Sequence, residues 1–149
     1  MRAVVQRVSR ARVTVGKEMV GKIGHGLLVL LGIAATDSES DADYLIDKIV
    51  NLRIFEDADK KMNASLVDVD GGLLVVSQFT LYGDTRRGRR PSFIKSAGSA
   101  EAEPLYEYFL AAAGNFVKRL ESGRFGAMMA VELVNAGPVT IILDSEKTI

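Results

Sequence analysis

Ser77-Gln78-Phe79-Thr80 puts two hydroxyls, a carboxamide and an aromatic ring into four consecutive positions, directly after the apolar run Gly72-Leu73-Leu74-Val75-Val76. A short run of that kind, opened by Gly71-Gly72, reads as a strand buried on both faces. Polar groups at the end of such a strand must find partners or bind something. One outcome is a strand end whose hydroxyls bond nearby backbone. The other is a pocket floor with an aromatic wall and neutral hydrogen-bonding groups. The tetrapeptide alone does not choose between them.

Two further stretches carry chemistry. Between Tyr82 and Lys95 lie Arg86, Arg87, Arg89, Arg90 and Lys95 against the single acid Asp84, a local charge of +4. Gly88 and Pro91 break regular structure there, so the cations sit on a loop. Guanidinium groups bind phosphate bidentately, and closely spaced arginines can follow a nucleic-acid backbone. A plain solvated surface is the alternative. Arg2, Arg7, Arg10, Arg12 and Lys17 could extend the same face. The other stretch is Asn135-Ala136-Gly137-Pro138-Val139-Thr140. It reads as a turn, and such a turn can present backbone carbonyls to an ammonium group without adding a side chain.

Composition narrows the reactions available. The chain has no cysteine, which excludes disulfides, thiol catalysis and Cys-ligated zinc. A single histidine, His25, excludes a His-rich metal site. Asp57 and Asp59 lack the ligand spacing of a calcium loop. No metal and no cofactor are expected. The formal net charge is zero, yet residues 2–22 hold six Arg or Lys against one Glu, so a neutral total conceals a basic face. Met1 to Arg7 shows no continuous apolar targeting segment, and Leu27–Leu31 is too short to cross a bilayer. A cytoplasmic protein with no membrane partner is the expectation.

The elements that must hold these stretches follow from periodicity. Arg2–Val8 and Arg10–Val15 read as two strands, and Gly16-Lys17 as a turn into Met19-Val20-Gly21. Gly26–Ile33 is a second doubly buried strand. The acids from Asp37 to Asp47 open a helix with Ser38 and Asp41 as a capping box, its buried stripe being Ala42, Leu45, Ile46 and Ile49. Asn51–Glu56 reads as a strand and Asp57–Lys61 as a turn. A long helix is predicted from Glu101 to Ser122, with Pro104 in its first turn and Gly123 at its end. Its apolar face is Leu105, Phe109, Ala113, Phe116, Val117 and Leu120. Ala127–Val134 and Val139–Leu143 read as two strands joined by the Gly-Pro turn. A chain of 149 residues fits one domain, 1–149. The predicted class is α+β, a mostly antiparallel sheet curling toward a barrel with two covering helices.

Taken together, Ser77-Gln78-Phe79-Thr80, Arg87-Gly88-Arg89-Arg90-Pro91-Ser92-Phe93 and Asn135–Thr140 resemble the signatures of the D-aminoacyl-tRNA deacylase family. The likeness runs from Met1-Arg2-Ala3-Val4-Val5-Gln6-Arg7-Val8 to the last strand. It implies a homodimeric esterase that removes a D-amino acid from the 3′-terminal adenosine of tRNA. By the same resemblance Ser77, Gln78, Phe79 and Thr80 form the catalytic pocket motif. Gly137 and Pro138 form a Gly-cis-Pro motif that enters the partner subunit's site. Phe125 and Met129 line the pocket or pack in the core. Arg7 braces the Gly-Pro segment or is an ordinary strand arginine. Arg86, Arg87, Arg89 and Arg90 are the candidate tRNA contacts.

Hydrolysis of an ester commonly needs an activated nucleophile or a metal-bound hydroxide. His25, between two glycines, has no triad context, and Ser77 and Thr80 have no evident base. The expectation is that the substrate's ribose hydroxyl assists water while N–H groups around Gln78, Phe79 and Thr80 hold the oxyanion. Two other readings stay open: a noncatalytic RNA-binding module, and a Thr- or Ser-nucleophile esterase on small esters.

Overall fold

A computed structural model describes residues 1–149. The elements in chain order are β1 (Arg2–Val15), β2 (Glu18–Ile23), β3 (Gly26–Gly32), α1 (Glu39–Asn51), β4 (Phe55–Glu56), β5 (Met62–Ala64), β6 (Gly72–Ser77), a 3₁₀ turn (Phe79–Tyr82), α2 (Ser99–Ala113), β7 (Leu120–Ser122) and β8 (Ala130–Asp144). The main sheet runs β2-β1-β3-β6-β7, with β8 on the other edge of β1. Strand β1 pairs antiparallel with β2, β3 and β8, whereas β3–β6 and β6–β7 are parallel. The sheet is mixed, with antiparallel pairings in the majority, and nearly closes into a barrel. Closure brings β2 against β7, where the Arg119 guanidinium donates to the Lys22 carbonyl at 2.9 Å.

The two-residue side-chain period divides the core. Leu27, Val29, Leu31, Leu73 and Val75 face the helices, meeting Leu45, Ile46 and Ile49 of α1 and Tyr106, Phe109 and Ala113 of α2. Leu28, Leu74 and Val76 point the other way, into the barrel interior with Val8, Val13 and Ile23. Strands β3 and β6 therefore need apolar residues at successive positions. Helix α1 starts as its sequence predicts, with the Ser38 N–H donating to the Asp41 carboxylate at 2.9 Å.

Four boundaries differ from the sequence reading. The two N-terminal strands are one continuous β1, which exchanges β3 for β2 as its neighbour along one edge. The strand predicted over Asn51–Glu56 is only Phe55–Glu56, because α1 runs to Asn51. The long helix ends at Ala113, with Gly114 as its cap, and Leu120–Ser122 is strand β7 beside Leu73–Val75. Apolar spacing continues past Gly114, but strand pairing to β6 overrides it. Finally, the last two strands are one 15-residue β8, and Gly137-Pro138 lies inside it as an irregularity instead of forming a hairpin turn.

Candidate active site

Strand β6 ends because its parallel partner does. Ser77 lies opposite Leu31, and the Gln78 N–H donates to the Leu31 carbonyl at 2.7 Å. The chain then turns away as the Phe79–Tyr82 3₁₀ turn, which lies directly over Gly32. A Cβ at Gly32 would come within 3.0 Å of both the Gln78 oxygen and the Leu81 Cβ. A side chain at Gly32 would fit only if the turn shifted. Ser77 and Gln78 are half-buried, whereas Phe79 and Thr80 are exposed. The Gln78 carboxamide donates to the Thr80 hydroxyl at 2.5 Å, so the two side chains meet despite the turn.

A cleft of about 640 Å³ opens beside this segment. Ser77, Gln78 and Phe79 line it, together with Phe125, Met128 and Met129. Phe125 is positioned by its ring contact with buried Tyr106, 5.6 Å between centroids. Thus the structure brings Phe125 and Met129 to the same cleft as the tetrapeptide. Thr80, Gly137 and Pro138 do not line it. None of the lining side chains is ionisable. His25 is elsewhere, edge-on to Phe55 at 5.1 Å.

Sequence reasoning missed Ala97-Gly98-Ser99, which completes the cleft at the start of α2. The Ala97 N–H donates to the Ile33 carbonyl at 2.9 Å, holding this run against the end of the sheet. Three small residues at the start of a helix were the available signal. Among the oxyanion-donor candidates, the Gln78 N–H is already engaged by Leu31. Phe79 and Thr80 open the 3₁₀ turn, and the first N–H groups of such a turn have no partner within it.

The basic loop is attached to this cleft. Phe93 meets Phe79 edge-on, with centroids 5.1 Å apart. Asp84 and Ser92 close the loop's base by exchanging backbone hydrogen bonds at 2.8 and 2.9 Å. Arg86 is exposed but already paired: its Nε and Nη2 donate to Asp84 at 2.9 and 2.6 Å. These bonds hold the Asp84 carboxyl far below the usual carboxylate range. Arg87, Arg89 and Arg90 are exposed and form no ion pair.

Gly137 and Pro138 are joined by a cis peptide bond and are both exposed on β8. Gly137 has φ 138°, in the region L side chains rarely adopt. A Cβ there would also meet the Arg7 guanidinium at 2.9 Å. Arg7 donates through Nε to the Ala136 carbonyl at 2.8 Å and through Nη1 to the Ile54 carbonyl at 2.7 Å. It therefore ties the Gly-Pro segment to the stretch between α1 and β4.

Comparison with known proteins agrees with this architecture. The family model described as D-Tyr-tRNA(Tyr) deacylase matches residues 4–144. The chain is 58% identical over 148 residues to the D-aminoacyl-tRNA deacylase of Symbiobacterium thermophilum, covering 99% of this chain and 98% of the relative. It is 60% identical over 147 residues to that of Koribacter versatilis, covering 99% of each. Among solved structures, a c-Myc DNA unwinding element binding protein superimposes with a TM-score of 0.92 at 42% identity, over 97% of this chain and 98% of that one. A chain described as a probable eukaryotic D-amino acid tRNA deacylase gives 0.80 at 18% identity, over 95% and 97%, which establishes likeness of fold only. On its fold and on the span and identity of these matches, the chain belongs to the D-Tyr-tRNA(Tyr) deacylase family.

Proposed function

We propose that this chain carries out its family's reaction, hydrolysis of D-aminoacyl-tRNA, with main-chain groups reading handedness and with the substrate assisting its own cleavage. Water adds to the ester carbonyl carbon, the bond from that carbon to the ribose 3′ oxygen breaks, and the 3′ oxygen takes up a proton. The products are a free D-amino acid and tRNA. The observation that carries the reading is a cleft lined by Ser77 and Gln78 but by no ionisable side chain. Such a site has no base to activate Ser77, Thr80 beside it meets only the Gln78 carboxamide, and a hydroxyl with its free pKa is a weak nucleophile. The neighbouring ribose 2′-hydroxyl orients the attacking water. Phe79 and Thr80 N–H groups receive the developing oxyanion, each worth about a hundred- to a thousand-fold in rate.

The chain acts as a homodimer in this reading. Strand β8 is bonded to β1 along one edge and exposes Val134 and Ile142 (40% and 55%). It also carries Gly137 and Pro138, which do not line this chain's own cleft. Entering the partner's cleft, their carbonyls hold the α-ammonium of the amino acid. Hydrogen fits beside them, an L side chain does not, and a D side chain points toward solvent. Arg87, Arg89 and Arg90 hold the tRNA backbone beside the cleft. In this reading the reaction takes place in the cytoplasm, where charged tRNA is used. No helix is long and apolar enough to cross a membrane.

The test is release of amino acid from D-tyrosyl-tRNA, combined with tRNA affinity measured against salt. Release with salt-sensitive affinity supports the reading. Salt-sensitive binding without release would make the chain a noncatalytic RNA-binding module, and hydrolysis of small esters without tRNA affinity would make it an ordinary esterase.

A further inference from the structure

The catalytic tetrapeptide is fixed at its start by strand pairing to Leu31, but its far end leaves the sheet. What holds that end is a residue that the sequence suggested only as part of a basic face. Arg2, the first residue of β1, has Gly32 opposite it on β3 and Asp144 opposite it on β8. It therefore sits between the glycine under the Phe79–Tyr82 turn and the strand that carries Gly137-Pro138. Its Nη1 donates to the Leu81 carbonyl at 3.2 Å. Its Cζ lies 4.7 Å from the centroid of the buried Tyr82 ring. Its Nε is 3.8 Å from the Asp144 carboxylate, whose side chain is 1% exposed. One planar cation thus engages a turn carbonyl, a turn aromatic face and a buried carboxylate on β8.

We infer that Arg2 is a positioning residue for deacylation: it clamps the Phe79–Tyr82 turn to the sheet and keeps the Phe79 and Thr80 N–H groups aimed at the ester. The inference rests on the deacylase reading. Geometry supports a role beyond general stability. Asp144 already accepts from the Glu146 N–H and the Thr148 hydroxyl, so what it takes from Arg2 is positive charge, which any cationic side chain could supply. An ammonium group could make any one of these contacts, but reaching the carbonyl, the ring face and the carboxylate at once needs a flat, forked cation. Charge and shape can therefore be separated by substitution. Small displacements of a positioned group cost up to about a hundred-fold in rate.

The experiment compares wild type, Arg2→Lys, Arg2→Met and, as a stability control, Ile49→Val in the α1 core. Each is assayed for kcat and KM on D-tyrosyl-tRNA per folded molecule, with Tm measured in parallel. Arg2→Lys is expected to keep a Tm near wild type while kcat falls about ten- to a hundred-fold with KM unchanged. Arg2→Met should lower both Tm and kcat. Ile49→Val should lower Tm and leave kcat alone. Wild-type kcat in both Arg2 variants would overturn the inference, as would an equal loss of kcat in Ile49→Val. A wild-type chain that released no amino acid would instead overturn the deacylase reading itself, and the inference with it.

Discussion

The Gln78 carboxamide donates to the Thr80 hydroxyl at 2.5 Å, and that bond makes the amide, not a base, the nearest polar neighbour of the hydroxyl. An amide N–H cannot accept the proton a nucleophilic hydroxyl must lose. Thr80→Ala should therefore retain substantial activity, whereas tRNA ending in 2′-deoxyadenosine should be a poor substrate. Single-turnover rates on the two substrates check this. Loss of activity in Thr80→Ala with normal cleavage of the deoxy substrate would make Thr80 the nucleophile.

The four loop arginines should not be equivalent. Arg86 is held by Asp84 through two side-chain bonds, while Arg87, Arg89 and Arg90 are exposed without acidic partners. Each phosphate contact removed should reduce the salt slope of tRNA binding by about 0.7–0.9. Alanine at Arg87, Arg89 or Arg90 should produce that change and raise KM with kcat preserved. Arg86→Ala should leave the slope nearly unchanged and loosen the loop. Binding isotherms from low to moderate salt decide between the two behaviours.

Arg7 joins the Ala136 carbonyl to that of Ile54 through two hydrogen bonds below 3 Å. Bonds from a charged donor contribute about 1.5–3 kcal/mol each. Arg7 is only half-buried, which puts the two bonds at the low end of that range. Arg7→Ala should therefore cost about 3 kcal/mol of stability and also reduce turnover of the D-ester, because the Gly-Pro carbonyls lose their support. Chemical denaturation and kinetics on D-tyrosyl-tRNA measure the two effects. Lost stability with unaltered turnover would confine Arg7 to structure.

A gate that excludes by side chain has nothing to exclude in glycine. Glycyl-tRNA should be hydrolysed by the same site. Rejection of glycyl-tRNA under conditions that cleave D-tyrosyl-tRNA would mean that handedness is read by contact with the D side chain instead.

Much of this was legible in the chain because local pattern and tertiary role agreed. The apolar runs at Gly26–Gly32 and Gly72–Ser77 are the two parallel strands, and the acids after Asp37 do open α1. The failures share a cause, which is long-range pairing outweighing local signals. Val117 and Leu120 fit a helical stripe, but Leu120 pairs with Leu73 as strand. Gly137-Pro138 reads locally as a hairpin turn, yet β1 accommodates it within one strand, with Arg7 bonded to the adjoining Ala136 carbonyl. The site divides in the same way. Its polar wall is contiguous in sequence, whereas Phe125, Met129 and Ala97-Gly98-Ser99 converge only through the fold. The pairing of Arg86 depends on Asp84 being held at the loop base by Ser92.

The most direct measurement is the initial hydrolysis rate of matched D- and L-tyrosyl-tRNA by the purified chain, at equal substrate concentration and against the rate without protein. A main-chain gate predicts cleavage of the D-ester and an L-ester rate no faster than background. Equal cleavage of the two, or cleavage of neither, would contradict it.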